Sequence, residues 1–111
     1  MKMIMSKENM DYAKSAVLNC LSYDRQFAVH QRDIKTHTGY DMRTIRYIIQ
    51  TLRDDGHPIC STTYEGYWLA CNSLELNETI NQLKSQVVTL QATIDSLQKT
   101  CDNLELAESG K

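Results

Sequence analysis

The fold is decided by residues 31–70, which read QRDIKTHTGYDMRTIRYIIQTLRDDGHPICSTTYEGYWLA. The stretch begins with a short helical segment over residues 31–38, and Gly39 interrupts it as a tight turn requires. Asp41 is then suited to cap a longer helix that runs to about Asp55. Gly56 is the residue expected just past the end of that helix, before Pro58. The predicted apolar face of the long helix consists of Ile45, Ile48, Ile49 and Leu52, with Met42 at its edge.

After the long helix, two short strands are predicted at about Ile59 to Thr62 and Tyr67 to Ala70, joined by a turn over residues 63–66. Upstream, a helix is predicted over about residues 8–22, with Phe27 to Val29 as a strand candidate. The face of that first helix carries Met10, Ala13, Val17, Cys20 and Leu21. The order helix, strand, helix, turn, helix, hairpin is that of a winged helix–turn–helix, an α+β fold.

Residues 33–70 resemble the N-terminal winged helix–turn–helix domain of biotin-operon repressors. The resemblance rests on Asp33-Ile34, on Gly39, on Ile45, Ile49, Leu52-Arg53 and Gly56, on Pro58-Ile59, and on Gly66-Tyr67-Trp68-Leu69. It implies a DNA-binding head. The ligase domain of those repressors is absent, so biotin binding is not implied, and Asp41-Met42 stands where family members often have Ser-Arg.

The C-terminal third has a different period, with apolar residues spaced alternately by four and three for about four heptads. This pattern predicts a coiled coil. β-Branched residues at a with leucine at d favour a parallel two-stranded coil, with a trimer as the main competitor. An amphipathic helix packed on its own domain is the other interpretation. The predicted dimerisation residues are Leu76, Ile80, Leu83, Val87, Leu90, Ile94, Leu97, Cys101 and Leu104.

Three segments follow from these patterns: a winged helix–turn–helix domain over residues 1–71, a dimerising coiled coil over 72–106 and a flexible tail over 107–111. Asn72 and Glu75 form a plausible capping box at the start of the coil. The e and g positions of the heptads are nearly all uncharged, so charge does little to select orientation. Cys101, at an a position, is able to form an interchain disulfide under oxidising conditions, although such a cysteine usually packs as a small apolar residue.

Charge is unevenly distributed along the chain. Residues 1–71 carry nine Lys or Arg against eight Asp or Glu, a net of +1, and residues 72–111 carry three against six, a net of −3. DNA contact therefore has to come from a local cluster of basic residues. Four cysteines without a C-x-x-C pair indicate reduced thiols. We find neither a membrane-spanning stretch nor a signal-peptide pattern, and expect a cytoplasmic protein.

The helix after Gly39 is expected to lie in the DNA major groove with its N-terminal half toward base edges. Helical angles place Arg43, Tyr47 and Gln50 outward and Arg46 on the flank, where an arginine can bind guanine and an amide can read adenine. If these residues do not contact DNA, Arg43 and Arg46 are expected to be solvated surface arginines paired with Asp41 or Asp54. Phosphate candidates are Arg32 and Lys35 on the preceding helix, Thr44 near the start of the long helix, and Tyr64 at a hairpin tip without Lys or Arg.

No catalytic motif is found, and neither a cofactor nor an enzymatic activity is expected. His30, His37, His57 and Cys60 match no standard zinc spacing, so no metal site is predicted. The leading hypothesis is a homodimeric, sequence-specific binder of double-stranded DNA, used as a small transcriptional regulator or replication accessory factor, with a phage or mobile element as its candidate source. The alternative is a protein-interaction module in which the winged helix binds a protein partner and the coil is a scaffold.

Overall fold

The structure is a computed structural model that describes residues 6–110. The chain divides into two compact units, the first ending at Thr79 and the second starting at Ile80. The first unit therefore extends past the boundary predicted at residue 71. Residues 1–5 of the predicted first domain and residue 111 of the predicted tail lie outside the described residues.

The fold class is α+β, as the sequence predicts. A two-stranded antiparallel hairpin pairs Ile59 with Leu69 and Thr62 with Gly66. No helix in residues 6–110 is long and apolar enough to cross a membrane. The elements in chain order are α1 (Lys7–Leu18), a 3₁₀ turn (Arg25–Phe27), α2 (Gln31–Thr38), α3 (Met42–Asp54), β1 (Ile59–Thr62), β2 (Gly66–Leu69) and α4 (Ser73–Ser109).

The core of the first unit is built around α3. Its four predicted apolar residues, Ile45, Ile48, Ile49 and Leu52, are each at most 2% exposed. They form one cluster with apolar residues of α1, of the turn after it, of α2 and of both strands, which are Ala13, Val17, Leu21, Ile34, Ile59 and Leu69. The periodicity of α3 therefore predicted its buried side correctly, and its other side is left exposed.

Both ends of α3 are closed by the predicted residues. Oδ1 of Asp41 accepts a hydrogen bond from the backbone N–H of Thr44 over 2.7 Å, as an N-cap does. At the other end Gly56 has a φ of +101°. The N–H groups of Gly56 and His57 return to the carbonyls of Arg53 and Leu52, each over 3.0 Å. This is the Schellman arrangement, which satisfies the last carbonyls of the helix.

The first helix is shorter than predicted, because α1 ends at Leu18 instead of about residue 22. After it, the N–H groups of Cys20 and Leu21 bond to the carbonyls three residues back, Val17 and Leu18. Such bonds tighten the chain into a turn. Leu21 still reaches the core at 9% exposure. The apolar spacing of α1 therefore continues through the turn that follows it. Periodicity in the sequence does not distinguish this turn from helix, so the helix was predicted too long.

The strand predicted at Phe27 to Val29 is present only in its last residue. Asp24 accepts a hydrogen bond from the backbone N–H of Gln26 over 2.9 Å and starts the 3₁₀ turn. Val29 alone pairs with the hairpin, exchanging two backbone hydrogen bonds with Tyr67 of 2.7 and 3.0 Å. Phe27 is 61% exposed, so it does not act as a strand residue of the core.

The capping box predicted at the start of α4 is only half formed. Oδ1 of Asn72 accepts the N–H of Glu75 over 3.0 Å, but the Glu75 carboxylate bonds to the N–H of Cys71 and to Nε1 of Trp68. The glutamate therefore ties the helix start to the hairpin instead of closing a local box. At its other end α4 continues to Ser109, so residues 107–109 of the predicted tail are helical.

Candidate nucleic-acid interface

The side of α3 opposite its buried isoleucines carries polar, basic and aromatic side chains. Arg43, Arg46 and Gln50 are exposed, and Tyr47 is 52% exposed. These are the four residues of α3 that helical angles predicted to face outward or onto the flank. Met42, predicted at the edge of the apolar face, is 39% exposed at the first position of the helix.

α2 adds two exposed cations beside this surface. Arg32 and Lys35 are exposed, whereas Ile34 between them is fully buried in the core that α2 shares with α3. We call the four cations Arg32, Lys35, Arg43 and Arg46 the basic face. None of them forms an ion pair with another described residue, since the three ion pairs found are Lys14–Asp55, Arg25–Glu65 and Arg25–Glu78. Pairing of Arg43 or Arg46 with Asp41 or Asp54 is therefore not observed.

The Asp41 carboxylate lies between two members of the basic face. Its pKa is lowered chiefly by the hydrogen bond from the Thr44 backbone N–H, then by the Thr44 hydroxyl, and further by the positive charges of Lys35 and Arg43. The turn between α2 and α3 thus brings a lysine of one helix and an arginine of the other around one carboxylate. The Asp41 charge is held at the N-terminus of α3, where the helix dipole stabilises an anion.

Two predicted contact residues are already engaged within the protein. Thr44 is only 8% exposed, and its backbone N–H donates to Oδ1 of the N-cap residue Asp41. It therefore presents little surface to a phosphate, contrary to the prediction. Gln50 is exposed, but its Nε2 donates to Oδ1 of Asp54 over 2.9 Å. The amide keeps a second N–H and its carbonyl oxygen for a base, and the bond to Asp54 restricts its orientation.

The hairpin tip carries the last predicted contact residue, Tyr64, which is 93% exposed. Residues 59–70 contain no lysine or arginine. Their one acidic residue, Glu65, is bound by Arg25 through two hydrogen bonds of 2.8 Å. The tip therefore presents a neutral aromatic side chain, separate in sequence from the basic face.

Arg25 is the central structural residue that the sequence patterns did not single out. Its guanidinium lies 4.5 Å from the centroid of the Trp68 ring, which is itself fully buried. Besides Glu65 it reaches Glu78 of α4, with Nη1 2.9 Å from the carboxylate. These carboxylates raise the pKa of Arg25, Glu65 having the larger effect. A fixed arginine with three partners holds the 3₁₀ turn, the hairpin tip and the start of α4 together.

Arg53, near the end of α3, has a comparable structural role. Its Nε donates to the carbonyl of Ile59 over 3.0 Å, and Nη2 to the hydroxyl of Ser61 over 3.2 Å. Burial lowers its pKa. Because its guanidinium is committed to β1, Arg53 is excluded from the basic face. The resemblance to biotin-operon repressors had included Arg53, but no local pattern indicated that it contacts β1.

The chain was compared with protein-family models, with curated proteins and with solved structures. None of the three comparisons finds a match. Nor does any group of three or more His, Cys, Asp or Glu within residues 6–110 have the arrangement of a metal site. Any function therefore has to be derived from the geometry of this chain's own residues.

The second unit, described by itself, carries the heptad residues from Ile80 onward on one helix. Each is exposed in the single chain, from 38% at Ile80 to 65% at Leu97. We call these residues the heptad stripe: Ile80, Leu83, Val87, Leu90, Ile94, Leu97, Cys101 and Leu104. Leu76, also predicted as a dimerisation residue, belongs instead to the first unit, where it packs against Cys60, Trp68 and Ala70.

Proposed function

We propose that this protein binds double-stranded DNA as a homodimer, with a winged helix–turn–helix as its reading head and a parallel coiled coil as its dimerisation element. The observation that carries the proposal is the basic face. Four cations that have no ion-pair partner among the described residues lie on α2 and on the first half of α3. Residues 31–54 hold five Lys or Arg against three Asp or Glu, a local net of +2 in a chain of net −2.

Within this proposal α3 is the recognition helix and enters the major groove with its first half toward base edges. Arg43 is placed to bind guanine bidentately, and Arg46 and Tyr47 flank it. Arg32 and Lys35 on α2 neutralise phosphates and set the register of the head on the duplex. The phenol O–H of Tyr64, at the hairpin tip, donates a hydrogen bond to a phosphate oxygen. Thr44 is left out because it is buried.

Dimerisation follows from the heptad stripe. Eight side chains spaced alternately by three and four lie exposed on one helix, and burying them against a second copy is favoured by the hydrophobic effect. Two heads double the number of phosphate contacts. With four cations per head, the slope of log K against log salt has a limit of about −7, from about 0.9 per neutralised phosphate.

A two-fold parallel dimer matches an inverted-repeat site, one half-site for each head. The proposed role is therefore sequence-specific, as a transcriptional regulator or replication accessory factor, with no catalytic step. No cofactor enters this role.

One observation favours a second function, in which the winged helix binds a protein and the coil is a scaffold. The hairpin tip has no cation, and it exposes Tyr64 at 93% beside a Glu65 that is already paired with Arg25. Tyrosine is enriched in protein interfaces. This alternative requires no salt-dependent DNA affinity and no effect of the basic face on partner binding.

The test is selection from random duplex DNA by the purified full-length chain at two salt concentrations. We expect enrichment of an inverted repeat at both, with weaker retention at high salt. Recovery of salt-sensitive but unrelated sequences would indicate an architectural role. Recovery of no DNA at either concentration would overturn the proposal in favour of a protein partner.

A further inference from the structure

Met42 is an exposed apolar residue at the very start of α3. It is 39% exposed, and it is not one of the buried residues that form the core cluster. Its neighbours on the exposed side are Arg43 and Arg46, so an apolar side chain lies at the border of a basic surface. Oδ1 of Asp41, the residue directly before Met42, accepts a hydrogen bond from the Thr44 N–H.

The chemistry of Met42 distinguishes it from the other exposed residues of the helix start. A thioether side chain offers no hydrogen-bond donor and only a weak acceptor, so it gains nothing from a phosphate or from the polar edges of guanine. The major groove has one apolar feature, the C5-methyl group of thymine. A flexible, polarizable side chain adapts well to a small methyl group.

We propose that Met42 selects a thymine by contacting its C5-methyl group, next to the base read by Arg43. This inference rests on the proposed DNA-binding function. Consecutive helix residues differ by about 1.5 Å along the axis, less than half the base-pair spacing of about 3.4 Å. Met42 and Arg43 therefore reach neighbouring base pairs, so each half-site should contain a thymine beside a guanine.

The experiment uses the duplex selected by the full-length chain, with each thymine of one half-site replaced in turn by uracil, which lacks the methyl group. For the wild-type chain we expect one replacement to weaken binding about fourfold, the equivalent of one buried methylene. M42A should bind the thymine duplex about fourfold more weakly and lose nothing further with uracil at that position. M42L, which keeps an apolar side chain, should retain the sensitivity.

The outcomes separate this inference from the proposed function. If DNA is recovered without an enriched sequence, sequence-specific reading fails and the assignment of Met42 fails with it; if no DNA is recovered, the DNA-binding proposal itself fails. If a sequence is enriched but no thymine is sensitive to loss of its methyl group, the assignment of Met42 is overturned while the DNA-binding proposal stands. The same holds if M42A remains as sensitive to uracil as the wild type. Circular dichroism of M42A should match the wild type, because Met42 is outside the buried core cluster and alanine favours a helix at least as strongly as methionine.

Discussion

Nε1 of Trp68 donates a hydrogen bond to Oε1 of Glu75 over 3.1 Å, which joins the fully buried ring of β2 to the first turn of α4. The same carboxylate oxygen accepts the N–H of Cys71 over 3.2 Å. The bond from Arg25 Nη1 to the Glu78 carboxylate and the bond from the Ser61 N–H to Thr79 Oγ1 add two further ties to these turns. The first two turns of α4 are therefore part of the first unit.

Glu75→Ala should destabilise the first unit by about 1–3 kcal/mol, because a buried indole N–H loses its acceptor. Urea unfolding followed by circular dichroism measures this change, because the signal is then independent of Trp68, the one tryptophan of the sequence. In a Trp68→Phe background the same substitution should cost less, since only the Cys71 N–H is then left unbonded. Equal costs in the two backgrounds would mean that the Trp68–Glu75 bond contributes nothing to stability.

Replacing Leu83 and Leu90 with asparagine should convert a dimer into monomers, because both d positions lie in the middle of the heptad stripe. Sedimentation equilibrium measures the mass directly. Val88→Asn is the matched control, since Val88 is 70% exposed on the same helix but lies outside the stripe. A dimer that survives the double substitution, or dissociates equally with Val88→Asn, contradicts the assignment of the interface.

Cys101 reports the orientation of the coil. In a parallel, in-register dimer the two Cys101 residues face each other at an a position, whereas in an antiparallel coil they lie at opposite ends. Diamide treatment should therefore give a covalent dimer on a non-reducing gel. Cys101→Ser should abolish the cross-link and Cys71→Ser, at the other exposed cysteine, should not. Cross-linking through Cys71 alone would argue against the parallel arrangement.

Arg43→Ala combined with Arg46→Ala should weaken binding to the selected DNA by at least tenfold, given about 1–3 kcal/mol for each bidentate base contact. The substitutions should also make the salt dependence shallower if either arginine contacts phosphate. Fluorescence anisotropy across a salt series measures both effects. Lys99→Ala is the control, because it removes an exposed cation from the second unit. Equal binding by the double variant would place the DNA interface elsewhere.

Two glycines with positive φ should respond differently to alanine. At Gly39, with φ +79°, a Cβ meets nothing within 4 Å, so Gly39→Ala should cost about 1–2 kcal/mol from backbone strain alone. At Gly66, with φ +95°, a Cβ would collide with the backbone carbonyl of Val29. Gly66→Ala should therefore be clearly the more destabilising in thermal or urea unfolding. A smaller loss of stability for Gly66→Ala than for Gly39→Ala would mean that the Val29 backbone moves easily to accommodate the Cβ.

Sequence reasoning succeeded where the deciding interactions are local. The bounds of α2, the caps of α3 and the hairpin all depend on residues fewer than about ten positions apart, which turn and capping chemistry predicts. The buried side of α3 followed from its period, and so did the exposure of Arg43, Arg46 and Tyr47. The predicted end of α1 and the predicted strand from Phe27 to Val29 were wrong, because apolar residues continue through the turn in each place.

The sequence by itself determined the α+β order of elements, the exposed side of α3 and the heptad spacing, because periodicity and caps depend on residues that are close together in the sequence. Only the tertiary structure decided which polar residues of the described part of the chain form hydrogen bonds or ion pairs with other residues and which do not. Arg25 meets partners 40 and 53 residues away, so no local pattern separates it from Arg43. Thr44 and Leu76 fit the DNA and heptad patterns, yet packing buries or half-buries both. The basic face is thus defined by what the fold leaves without a partner among the described residues.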